Sequence, residues 1–333
     1  MSSIIASRAA AVRAAVVALL PAFAACSDAP TTPRAAQGAA EVQANAVLRE
    51  CVRCENPIVF DAGSTPADPV KHIYTVMPDG SELTQLTTGQ WSDREPAWSS
   101  NYKRIVFTSN RHGGVHNVYS MTSKGQGVTR LTNSAGLPEY SPVLSPDGTK
   151  IVWARQWING GVGILLMNSD GSKEVAFVIP GTNLHPTFSP DGKKILFSSD
   201  LHSTSGSYLD RDIYVMNLDG SGRTRLTWNS TYDENPVWTP DGKKIVFESD
   251  RGGQPGIYKM DPDGSNVELI QLAPAGAYIG YVSVNAASSK VLYYSDEAGQ
   301  QWRISSLDGG PSTVVPLTSR LGSLGSASWS FAR

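Results

Sequence analysis

Five histidines, a Cys-x-x-Cys pair and several groups of carboxylates beside aromatic rings are the residues of this chain whose types and spacing could do chemistry. The histidines are His72, His112, His116, His185 and His202. Neutral imidazole is a common ligand for divalent metals. A centre built on His112, His116, His185 and His202 with neighbouring carboxylates would therefore suit metal-assisted cleavage of a polysaccharide, as a lyase or a hydrolase. The second group comprises Asp93-Arg94-Glu95, Glu139-Tyr140, Asn183 with His185, and Asp233-Glu234-Asn235, with Trp91, Tyr140, Trp157, Tyr232 and Tyr278 close by in sequence. A mouth mixing carboxylates, amides and aromatic rings suits recognition of a peptide or glycan, where a few polar groups set orientation against an apolar floor. Trp91, Asp93, Arg94, Glu95, Glu139, Tyr140, His185, Tyr232, Asp233 and Glu234 are its candidate binding residues. Other chemistry lacks its motif: no G-x-S-x-G elbow, glycine-rich phosphate loop or H-E-x-x-H stretch occurs. No catalytic residue is assigned, and no cofactor is implied beyond the divalent metal of the histidine alternative.

The elements that must position these groups are set by an internal repeat. The unit beginning at Pro236 reads PVWTPDGKKIVFESD and runs on through GIYKMDPDGS; copies begin at Pro186, Pro142 and Pro96, and a degenerate one reads VSVNAASSKVLYYSDE. Aligning Trp98, Leu144, Phe188, Trp238, Val284 and Trp329 gives spacings of 46, 44, 50, 46 and 45 residues. A period near 45 with several short strands per unit marks a propeller blade. Each unit supplies four strands, A to D, with Asp-Gly between A and B (Asp147-Gly148, Asp191-Gly192, Asp241-Gly242) and between C and D (Asp79-Gly80, Asp170-Gly171, Asp219-Gly220, Asp263-Gly264, Asp308-Gly309). Asp-Gly between apolar runs is a strong hairpin signal, because these residues accept the positive φ of a tight turn. The repeated aspartates therefore read as turn residues rather than as acids of a site.

The N-terminal part supplies only strands B, C and D (Ile58 to Phe60, Ile73 to Met77, Leu83 to Thr87), and the C-terminus a lone A strand around Trp329. Together they complete a sixth blade, closing the ring and removing an exposed sheet edge. The expected fold is all-β, a six-bladed β-propeller of four-stranded blades in which the C-terminal strand joins the N-terminal blade. Because strands alternate in direction, A–B and C–D turns share one face, while the longer B–C and D–A loops share the other and carry the histidines and candidate binding residues. That loop face is the expected functional face. Its longest loop inside the ring is DLHSTSGSYLDR, from Asp200 to Arg211.

The recurring P-x-W/F-S-P-D-G-K-K-I-x-F, I-Y-x-M-x-x-D-G-S and L-T resembles the repeat of the TolB-like six-bladed β-propeller family, over about residues 57 to 333. Blade six departs most, with Val284-Asn285-Ala286-Ala287 in place of W-S-P-D. Asn110-Arg111 and Asp250-Arg251 resemble the family's S-D-R element, which implies a tie between adjacent blades. The hydrolase domain that follows such propellers in prolyl-oligopeptidase-type peptidases has no counterpart in this sequence. With no such domain and no catalytic constellation in the sequence, the expected role is a binding module or scaffold rather than a catalyst.

The first residues read as a targeting segment. Arg8 and Arg13 precede the apolar run Ala14 to Ala25, which is followed by Cys26. The run is short for a permanent membrane span. The layout resembles a bacterial lipoprotein signal with Cys26 as the lipidated first residue of the mature chain, although Phe23 stands where leucine is usual; an ordinary secretory signal is the alternative. Residues 1–25 are thus the expected signal peptide, 26–54 a flexible tether, and 55–333 the propeller. As a flexible coil, the 24 residues from Ser27 to Glu50 would span ~25–30 Å. In an exported chain Cys51 and Cys54 are expected to form a short-loop disulfide, with a metal site or unpaired thiols as alternatives.

Of the 333 residues 17% are charged, the formal net charge is −2, and no basic run occurs, which excludes a nucleic-acid surface. The resulting expectation is an exported, membrane-anchored lipoprotein facing the periplasm or cell surface, touching the membrane only through its lipid. Its propeller would be a monomeric domain engaging an envelope protein, a peptide or a glycan.

Overall fold

The computed structural model describes residues 56–65, 68–203, 210–228, 232–317 and 321–329. The signal segment, Cys26, the tether and the Cys51–Cys54 pair lie outside the described residues, as do residues 204–209 of the long loop of blade four.

The described residues form 24 strands in six four-stranded antiparallel sheets. Blade one holds β1 (Ile58–Gly63), β2 (Lys71–Val76) and β3 (Thr84–Gln85). Blade two holds β4 (Asp93–Trp98), β5 (Arg104–Ser109), β6 (Asn117–Thr122) and β7 (Thr129–Arg130). Blade three holds β8 (Glu139–Leu144), β9 (Lys150–Gln156), β10 (Val162–Asn168) and β11 (Val175–Phe177). Blade four holds β12 (Asn183–Phe188), β13 (Lys194–Ser199), β14 (Asp212–Asn217) and β15 (Thr224–Arg225). Blade five holds β16 (Asp233–Trp238), β17 (Ile245–Ser249), β18 (Gly256–Met260) and β19 (Glu268–Leu272). Blade six holds β20 (Ile279–Val284), β21 (Lys290–Ser295), β22 (Gln301–Ser306) and β23 (Thr313–Val314). The last strand, β24 (Leu324–Trp329), returns to pair with β1, Ile58 opposite Trp329, so the ring closes as the sequence predicts.

The turns form for the chemical reason the sequence suggests. In blade three the Asp147 carboxylate accepts bonds from the Ser145 hydroxyl and the Thr149 N–H while Gly148 adopts φ +71°. Blade six makes the same turn from different residues: the Asn285 side chain accepts from the N–H groups of Ser289 and Lys290, and Ser288 takes the left-handed position. Blade two does likewise with Tyr102, which packs edge-on against Trp98. Strands B and C are apolar on both faces because each blade is covered on both sides. Trp153, Trp302, Trp329, Phe107, Phe197 and Phe247 are fully buried between blades, each contributing about 1.5–3 kcal/mol. No helix among the described residues is long and apolar enough to cross a membrane.

Candidate functional site

The innermost strand of every blade carries a bulge at one place. The ladder shifts register between Arg94 and Ala97, Tyr140 and Val143, Leu184 and Thr187, Glu234 and Val237, and Gly280 and Ser283; the closing pair β1–β24 shifts between Phe60 and Ala62. In blades two to six the bulged residue is Glu95, Ser141, His185, Asn235 or Tyr281, each left-handed with φ between +48° and +54°. This is an uncommon conformation for residues with a Cβ, and in four blades the next residue is proline, which ordinarily holds its predecessor extended. The bulge frees an N–H from the ladder, and buried carboxylates capture several of these. Asp61 Oδ1 accepts from the N–H of both Glu95 and Ser326 at 3.0 Å, Glu95 Oε2 from the Ser141 N–H at 2.6 Å, and Glu248 Oε1 from the Tyr281 N–H. Glu248 also receives Asn235 Nδ2 at 2.6 Å and the hydroxyls of Tyr278 and Tyr232 at 3.0 and 3.3 Å.

Glu95, Ser141, His185, Asn235, Tyr281 and Ser326 thus form a collar around the central channel, one residue per blade, lining a cavity of ~1140 Å³. Above the collar stand Lys71 and Arg94; below it the wall turns apolar through Val143, Phe188 and Val237 and ends at the turn prolines Pro146, Pro190 and Pro240. The cavity therefore extends to the tight-turn face, to which the sequence assigns no role, as well as beneath the loop face. Burial raises Glu95 to about 7, with the Asp61 charge adding to the rise, against the pull of its bonded Ser141 N–H. Burial also raises Glu248 to about 7, opposed by its four donors, and raises Asp61. Burial first and the Arg211 charge second lower His185 to about 3, so its imidazole is neutral at ordinary pH.

Of the ten candidate binding residues, Arg94, Glu95 and His185 line this channel. Asp93 and Asp233 are fully buried and paired with Arg111 and Arg251 at 2.7 and 2.9 Å. Glu139 is fully buried and takes bonds from Trp153 Nε1, Arg155 Nε, the Thr132 hydroxyl and the Val118 N–H. Glu234 pairs with Arg211, Tyr232 reaches Glu248, Tyr140 reaches Gln156 at 3.4 Å, and Trp91 lies against the Arg111 guanidinium. The Asn/Asp-Arg element does not tie adjacent blades as the resemblance implies. Arg111 and Arg251 each bind the first strand of their own blade, because the loop after strand B folds back over strand A. Its first residue repeats a second bond: Asn110, Asp200, Asp250 and Asp296 accept the N–H of Ser92, Thr182, Tyr232 and Tyr278.

The histidines are held apart. His112 and His202 bond the Tyr119 and Tyr214 hydroxyls at 2.7 and 2.5 Å in equivalent places of blades two and four; His116 lies 3.5 Å from the Thr108 hydroxyl, His72 is buried, and His185 is in the collar. Among the described residues no three His, Cys, Asp or Glu side chains stand in a metal-binding group. Sequence reasoning missed Asp61, Lys71, Ser141, Glu248, Tyr281 and Ser326. The available signals were an acid inside an apolar B strand (IVFD, IVFES) and the residue preceding proline in strand A.

The geometry defines a closed six-bladed β-propeller whose blades each present one bulged residue to a common channel. Within that class the chain belongs to the TolB beta propeller domain family, whose pattern matches residues 62–201 and 162–330. It is 30% identical over 181 residues to the Protein TolB homolog of Chlorobium luteolum and 31% identical over 124 residues to that of Chlorobaculum tepidum. These matches take in 54% and 37% of this chain, but only 38% and 26% of those relatives' lengths. Among solved structures it resembles TolB from Acinetobacter baumannii (TM-score 0.68, 19% identity, 87% of this chain and 71% of that one) and putative TolB from Agrobacterium tumefaciens (TM-score 0.62, 21% identity, 78% and 87%). At these identities the likeness is one of fold.

Proposed function

We propose that this chain is a non-catalytic binding module of the bacterial cell envelope whose propeller channel receives a segment of a protein or peptide partner. The observation that carries this reading is the ~1140 Å³ channel with its collar of six residues on a rigid ring. A site that must grip without reacting needs donors and acceptors fixed in place, and bulges over-determined by buried carboxylates supply them. The apolar wall toward the turn prolines suits the side chains of such a segment. In this reading the module works outside the cytoplasm, exported by residues 1–25 and held by lipid on Cys26 through the 26–54 tether; family membership and the lipoprotein-like start support it. No step of this function uses a cofactor.

The test is recovery of partners from envelope extracts on the mature wild-type chain and on Ser141→Trp, which narrows the channel at the collar. Tyr281 occupies the same place in blade six, so the bulge accepts an aromatic ring. A partner retained by wild type and lost by a folded Ser141→Trp is expected. Equal recovery by both, or stoichiometric metal without a partner, overturns the reading.

A further inference from the structure

The propeller's own symmetry supplies an internal comparison at the upper rim of the channel. Two equivalent register positions flank each blade boundary. One lies two residues before the strand C residue that pairs with strand B at the bulge level. The other is the strand A residue just before the next blade's bulge. Between blades four and five these are Arg211, since Ile213 pairs with Ser198, and Glu234, which pairs with Glu248; the two side chains form an ion pair. Between blades one and two the same positions hold Lys71, since Ile73 pairs with Asp61, and Arg94, which pairs with Thr108. There the boundary carries two cations.

Both cations line the cavity. The Lys71 ammonium is committed to the carbonyl and hydroxyl of Ser323. The Arg94 guanidinium is exposed and has no ion pair or hydrogen bond among the described residues. The nearby carboxylates all take bonds from other donors: Asp61 from the Glu95 and Ser326 N–H groups, Asp68 from Ser64 and Val70, Glu95 from the Ser141 N–H and Asp93 from Arg111. Burial holds both Lys71 and His116 below their ordinary values; the Arg94 charge adds to this, while Asp61 and Asp68 oppose it at Lys71 and Asp93 opposes it at His116.

We infer that Arg94, backed by Lys71, binds a carboxylate of the peptide segment that enters the channel. Guanidinium presents paired donors matched to the two oxygens of a carboxylate, and an anion placed here would occupy the role Glu234 plays opposite Arg211. The inference rests on the channel reading above and adds its specificity: the partner segment carries an acidic side chain or a free C-terminus at this rim.

The test is calorimetric titration of the full chain with acetyl-trialanine bearing a free carboxylate, its C-terminal amide, acetyl-Ala-Glu-Ala-amide, inorganic phosphate and glucuronate. The two peptide acids are expected to bind at least tenfold more tightly than the amide. Arg94→Glu rebuilds the ion pair of the other boundary, so it should abolish that preference while leaving the thermal midpoint at or above that of wild type. Equal binding of acid and amide, an acid preference that survives Arg94→Glu, no binding of either acid, or tighter binding of phosphate or glucuronate overturns the inference. Ser141→Trp separates the two claims. If acid and amide bind equally and both are lost in Ser141→Trp, the carboxylate inference alone fails; if binding persists in Ser141→Trp, the channel reading fails.

Discussion

The buried Asp61 carboxylate fits only because its neighbour has no side chain, and this can be tested by a double-mutant cycle. A Cβ added at Gly325 would stand 1.8 Å from Asp61 Oδ2 and 2.5 Å from its Cγ, far inside any real contact. Gly325 is not left-handed, so the substitution carries no backbone penalty and its whole cost is this collision. In Gly325→Ala the carboxylate must swing away and lose bonds from the Glu95 N–H, the Ser326 N–H and the Ser326 hydroxyl. Bonds to a charged acceptor contribute about 1.5–3 kcal/mol each, so losing two of the three costs about 3–6 kcal/mol. Asp61→Ala leaves the same two N–H groups buried without an acceptor, at about 1–3 kcal/mol apiece. In the double variant the new methyl group enters the space the carboxylate has left and adds less than about 1 kcal/mol, giving a coupling near −3 kcal/mol. Urea unfolding of the four proteins, followed by tryptophan fluorescence, measures it. Costs that add to within about 0.5 kcal/mol would show that Gly325 and Asp61 are independent and refute this account of the collar.

Two further outcomes follow from the same geometry. Glu95 and Glu248 are raised from 4.5 to about 7, so the folded chain holds protons that the unfolded chain releases. Their contribution is complete below pH 4.5 and is lost as pH rises through 7. The stability difference between wild type and Glu95→Gln/Glu248→Gln should therefore shift against wild type from pH 5.5 to pH 8. The shift is at most about 3 kcal/mol for buried Glu248 and less for Glu95, whose side chain meets channel water; a shift in wild type's favour would contradict the assignment. Arg251→Met leaves Asp233 buried without its cation and should cost about 3 kcal/mol in thermal unfolding, whereas Asp233→Leu/Arg251→Met should recover at least half of that. A single variant as stable as wild type would show that the pair does not hold blade five.

The blades were legible because a turn acts locally. Asp-Gly between apolar runs fixes each hairpin whatever surrounds it, and even the departure at Val284-Asn285 kept its turn because Asn285 supplies the same acceptor. The collar was legible only in part. Glu95 and His185 stood out as polar residues before strand A, but Ser141 and Tyr281 did not, since a bulge depends on register with a strand some ten residues away. Asp93, Glu139 and Asp233 drew attention by charge alone, and their burial against Arg111, Arg155 and Arg251 is a tertiary fact.

Six copies of one fold also separate what folding requires from what it does not. The acceptor formed by Asn110, Asp200, Asp250 and Asp296 recurs in four blades with the same bond, so it serves the blade. Strand B acids at the bulge level occur in two blades, Asp61 and Glu248, and each lies against a glycine, Gly325 or Gly280, whose added Cβ would collide with it. That departure from the repeat is compensated inside the chain, and its meaning is structural. Lys71 and Arg94 depart from the pattern of Arg211 and Glu234: both are cations, and Arg94 is exposed to the channel where Glu234 is buried against its partner. Lys71 has a folding role in its bonds to Ser323 beside the closing strand, whereas the Arg94 guanidinium makes no such bond among the described residues. An uncompensated departure points outside the chain, so the rim between blades one and two is where a partner's charge belongs.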